Sequence, residues 1–169
     1  MSIDLYLDLV HPVPLRPLLK KAGAVLAKML ALDTIPELTL EALSNGQRKP
    51  VTDEELRDDR SPFFLISIAG EPETVALSVP GRHVTVIMGA MRNSLEYALG
   101  AAVSIALAEE LHVEVIGDDS RFFGADVEVS PVDLLRRLEA AEPGHDYRAA
   151  AEQLGCRLNW QSGTGRLTT

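Results

Sequence analysis

Two adjacent carboxylates, Asp118 and Asp119, close the run VEVIG at residues 113–117 and precede Ser120, Arg121, Phe122 and Phe123. Carboxylates at the end of a strand, with Asp126 and Glu128 returning alongside, are hard oxygen donors that can hold Mg²⁺ or divide acid from base duty. Their spacing matches no diagnostic motif, and no companion acid or base is identifiable from order along the chain. Aspartate beside serine is also ordinary turn chemistry, because both side chains accept bonds from nearby backbone N–H groups. The stretch therefore reads as a turn first, a contact site second and a catalytic rim third. As a contact site it would present Phe122 or Phe123 between Arg121 and the two aspartates, an aromatic anchor with a charged rim. In the opposite arrangement both rings fold back as a plug over the sheet end.

Elsewhere the chemistry-bearing residues are dispersed. His11, His83, His112 and His145 do not pair at the short spacing of a helical metal site, and Cys156, the sole cysteine, can form neither an intramolecular disulfide nor a thiolate zinc set within one chain. There is no G-x-S-x-G elbow, and the pieces GTG and PGR lack the length and ending of a phosphate-cradling loop. No cofactor and no resident metal is expected. A second candidate surface comes from the N-terminal alternation IDLYLDL, which puts Ile3, Leu5, Leu7 and Leu9 on one strand face and Asp4, Tyr6 and Asp8 on the other. That second face is too polar for a core and suits solvent or a partner.

These residues are positioned by a short series of elements. Apolar residues from Leu15 to Leu30 recur at helical spacing, with Pro14 and Pro17 confined to the start. The same helix carries Arg16, Lys20 and Lys28 along one line of its polar face. ELTLEAL reads as a strand, and residues 44–62 as a long charged loop in which Thr52 and Glu55 could cap one helical turn. FFLISIA, TVALSV and HVTVIMGA, separated by GEPE and PGR, form a three-stranded antiparallel meander. Asn93 and Glu96 start a helix that is apolar nearly all round and must be covered on two sides, and Gly100 within it permits close backbone approach. VEVIG and GADVEVS pair as a hairpin. Ser130 and Pro131 then open one helix, and Asp146 caps a last helix closed by Gly155.

The series predicts an α+β fold, with a mixed, mostly antiparallel sheet of about six to seven strands and helices mainly on one face. Residues 1–158 make one domain and 159–169 a flexible tail. Of 169 residues, 46% are hydrophobic and 24% charged, a globular balance, and the net charge of −9 disfavours nucleic acid. The longest apolar segment, residues 97–108, is too short to span a bilayer, so no membrane partner is expected. The lone cysteine and the absence of a basic leader point to the cytoplasm.

The functional expectation is a non-enzymatic cytoplasmic protein-binding domain, of the general build of adaptor or toxin-neutralising proteins. Its contact surface is acidic and partly aromatic, made of Asp4, Tyr6, Asp8, Asp118, Asp119, Arg121, Phe122 and Phe123. The partner is another protein, a basic one by charge, or a second copy of the chain. Two alternatives stand beside it: a small metal-dependent enzyme or ligand-binding domain built on Asp118 and Asp119 with a histidine, and a homo-oligomeric structural protein.

Overall fold

The N-terminal alternation carries directly into the sheet. The structure, a computed structural model, describes residues 3–51, 54–57, 63–89, 93–123, 126–139, 146–158 and 160. In it Ile3–Asp8 form β1, which buries Leu5 and Leu7 while Asp4 and Asp8 remain exposed. There follow β2 (Val13–Pro14), α1 (Leu15–Met29), β3 (Leu38–Ser44), β4 (Gln47–Pro50), β5 (Glu55–Leu56), β6 (Phe63–Ile68), β7 (Thr74–Ser78) and β8 (His83–Met88). The chain continues with α2 (Ser94–Leu111), β9 (Ile116–Gly117), β10 (Glu128–Val129), α3 (Pro131–Leu138) and α4 (Tyr147–Arg157).

Among the described residues eight strands join in one open sheet in the order β10-β9-β1-β8-β7-β6-β3-β4, and β2 pairs with β5 in a small second sheet. Every pairing is antiparallel. The class is α+β as the sequence predicts, with more strands than the six to seven expected. The excess arises in the stretch read as a loop. Asn45 and Gly46 both take positive φ, at 51° and 75°, which is the two-residue turn whose twist matches its flanking strands. Ser44 accordingly pairs with Gln47, and β4 becomes an edge. All four of its residues are exposed, and Arg48, Lys49 and Pro50 blunt it against further pairing. Glu55 lies in β5 opposite Pro14 instead of closing a helical turn, while Thr52 falls outside the described residues.

Leu7, Val86, Leu77, Phe64 and Leu40 mark the buried side of successive strands, against which α1 and α2 pack. α2 is buried on almost every side, since α1, α3 and α4 all pack against it as well as the sheet. Gly100 lets α2 pack tightly on β8: a Cβ there would stand 2.5 Å from Met88 Cγ. The caps follow the sequence. Glu96 N donates to Asn93 Oδ1 at 3.0 Å, Ser130 Oγ accepts from Asp133 N, and Asp146 Oδ1 accepts from the first amides of α4. Gly155 does not end α4, which continues to Arg157; it lies within the helix because a side chain there would overlap Ser94. Among the described residues no helix is long and apolar enough to cross a membrane.

Candidate functional site

The outer side of β1 meets the C-terminal hairpin at one residue pair. Tyr6 opposes Gly117, and Gly117 opposes Glu128 on β10. A Cβ at position 117 would overlap the Tyr6 ring, so glycine is what allows the ring to lie across β9. The phenol then reaches the turn and donates to Asp119 Oδ1 at 3.0 Å. This hydrogen bond, followed by partial burial and the negative charges of Asp119, Glu128 and Asp118, pushes the Tyr6 hydroxyl above the ordinary phenol value. Asp4 is exposed on the same side of β1, and Asp8, also exposed, lies 2.8 Å from His83 Nδ1 across the strand pair. Asp4, Tyr6, Asp8 and Asp119 are thus brought together on one wet surface, joined by Glu128.

The turn after β9 divides the remaining candidates. Asp118 is fully buried, and its carboxylate is occupied: Oδ2 accepts from Phe123 N at 2.8 Å and Oδ1 from Ser120 Oγ at 2.7 Å. Its backbone adds two more ties, the amide donating to Val127 O and the carbonyl accepting from Arg121 N. Asp118 therefore builds the turn and is corrected from contact residue to scaffold. Phe122 and Phe123 are corrected likewise, at 7% and 2% exposure. They fold inward because Tyr97 on α2 and Trp160 complete an aromatic cluster, with Phe122 centred 4.6 Å from Tyr97 and stacked 5.9 Å from Trp160. Trp160, assigned by sequence to a flexible tail, is 3% exposed; residues 161–169 lie outside the described residues. Arg121 remains exposed, with φ of 53°, at the tip.

Between β1 and the chain leading into β9 runs an open groove of about 470 Å³, lined by Tyr6, Asp8, Glu114, Val115 and Glu128 among others. Its polar lining is carboxylate and phenol. The far edge of the sheet has the opposite sign, with Arg48 and Lys49 exposed on β4. Among the described residues no group of three His, Cys, Asp or Glu side chains converges as a metal site. The chemistry this surface offers is attraction and orientation of a cation.

A second polar cluster lies between α4 and the β6–β7 turn. Arg148 donates to Glu73 Oε2 at 3.0 Å and to Glu71, Tyr147 Oη donates to Glu71 Oε1 at 2.7 Å, and Asn93 Nδ2 donates to Glu73 Oε1 at 2.9 Å. Glu71 is held below the usual carboxylate value by the Tyr147 bond first and the Arg148 bond second. Among the described residues no buried side-chain nitrogen or oxygen lacks a partner, so this cluster fastens helix to sheet.

The sequence does not single out Glu114, although it lies in VEVIG, the run read as a strand of the hairpin. The splaying that opens the groove had no sequence signal. The fold and the surface define an open-sheet α+β domain with an acidic end. Comparison with protein-family models, curated proteins and solved structures finds no match.

Proposed function

We propose that the protein is a non-enzymatic cytoplasmic binding domain that meets a basic protein through the acidic end of its sheet. The observation that carries this reading is the joining of Asp4, Tyr6 and Asp8 from β1, Glu128 from β10 and Asp119 from the turn after β9 on a solvent-facing side. Tyr6 is held in place by Asp119, so one aromatic contact residue is oriented before any partner arrives. Exposed charges of one sign speed encounter with an oppositely charged partner and suppress wrong ones. The general build is that of adaptor or toxin-neutralising proteins, an analogy of architecture alone. The enzyme alternative is weakened by Asp118, whose carboxylate is already committed to the turn.

The test is recovery of a partner by the tagged protein and by an Asp119→Lys/Glu128→Lys variant. Recovery should be lost in the variant with its thermal midpoint preserved, and wild-type binding should weaken as salt rises from about 0.05 M to about 0.5 M. Unchanged recovery would show that the acidic end is not the contact surface. A thermal-shift panel with Mg²⁺, Mn²⁺, Zn²⁺ and nucleotides tests the enzyme alternative, since a native-state ligand raises apparent stability.

One further observation favours self-association as a second reading. On the outer side of the sheet Ala76 and Ile87 pair across β7 and β8 and are half-buried, and Phe63 on β6 is 47% exposed, while Leu65 in the same row is buried. Apolar sheet surface of this kind is a common homodimer contact. Light scattering decides it: a dimer that Phe63→Glu returns to monomer supports this reading, and a monomer at all concentrations removes it.

A further inference from the structure

β1 leaves β9 after a single pair. Past Tyr6↔Gly117 no further ladder pairing joins these strands among the described residues, and the groove opens where Asp8 would have faced Val115. The direction of the β1 backbone there follows from its other neighbour. Leu9 N donates to Arg82 O at 2.7 Å, and successive residues of an antiparallel strand turn their backbone groups to opposite sides. Asp8, adjacent to Leu9, therefore directs its N–H and C=O away from β8 and into the groove. A short length of strand with backbone groups facing an open slot is a template for an added strand.

The side chains around that slot select its occupant. Asp8, Glu114 and Glu128 supply carboxylates, Tyr6 a ring face, and Val115, 42% exposed, an apolar wall. A lysine or arginine side chain satisfies all three, with its ammonium or guanidinium on the acids and ring and its methylenes along valine. We propose that this groove takes an extended, lysine- or arginine-rich segment of a partner protein as an added strand, paired with the backbone of β1 at Asp8. The inference rests on the acidic-surface reading above and adds how the partner is held.

The probe is a fluorescein-labelled octapeptide of alternating lysine with threonine or valine, titrated against the full chain by anisotropy. Two further versions are N-methylated at every second residue, one on each edge, with charge and composition kept equal. Methylation on the pairing edge should weaken binding about tenfold through lost backbone hydrogen bonds, and on the opposite edge should leave binding within about threefold. Glu114→Gln/Glu128→Gln should weaken the parent peptide as well. Equal affinity of the two methylated versions, or no binding by the parent, overturns strand addition. If both versions bind as the parent does and Glu114→Gln/Glu128→Gln still weakens them, strand addition fails while the acidic surface stands. If the parent does not bind, partner recovery by Asp119→Lys/Glu128→Lys judges that surface separately.

Discussion

Asp118 and Asp119 are neighbours with opposite fates, and the difference decides what each can do. Asp118 is sealed in the turn with backbone and hydroxyl donors around it, whereas Asp119 is exposed and holds Tyr6. Asp118→Ala leaves a buried amide unpaired, and urea denaturation should show a loss of about 2–3 kcal/mol. Asp119→Ala should leave stability within about 1 kcal/mol, because its bond is at the surface. The same substitution should lower the Tyr6 phenol toward its ordinary value of 10.0, read as phenolate absorbance in a difference titration against wild type. Because folding raises the Tyr6 value, its contribution to stability is present below pH 10 and disappears as pH climbs through the native value. Gly117→Ala should cost about 1–3 kcal/mol, since the added methyl displaces the Tyr6 ring from β9.

At the scale of elements, α4 depends on polar ties as much as on packing. Its buried residues are small except for Leu154, and Arg148 and Tyr147 bind it to Glu71 and Glu73. Folding lowers the Glu71 value, so its contribution is present above about pH 4.5 and is lost as pH falls through the native value. Trp160, the only tryptophan, sits against Phe122 at the end of this helix and reports its attachment. Tryptophan fluorescence should shift to the red as pH drops below 4.5, and Arg148→Ala should produce the same shift near neutrality. A fluorescence maximum that stays constant in both would show α4 to be held by packing alone.

How much of each element was legible depended on whether its cause was local. The caps at Asn93, Ser130 and Asp146 and the alternation of β1 act within a few residues, and all appear as read. The Asn45-Gly46 turn was equally local, but charge in the following residues masked it as loop. The burial of Phe122 and Phe123 was not local. It depends on Tyr97 from α2 and on Trp160 near the far end of the chain, a convergence that two adjacent phenylalanines in a turn do not announce. The polar side of β1 was visible from Asp4, Tyr6 and Asp8, while its union with Glu128 required the strand order.

For the whole molecule, charge is distributed along the sheet: acids gather at the β1-β9-β10 end, and Arg48 and Lys49 mark the other edge. α1 offers a competing surface, with Arg16 and Lys20 exposed on its polar side. The two surfaces predict different partners, an acidic one for α1 and a basic one for the sheet end. The most direct measurement is an amide chemical-shift map of the labelled protein with its purified partner. Perturbations should concentrate at residues 4–8, 113–119 and 128. Perturbations concentrated on α1, with those residues unmoved, would contradict binding at the sheet end.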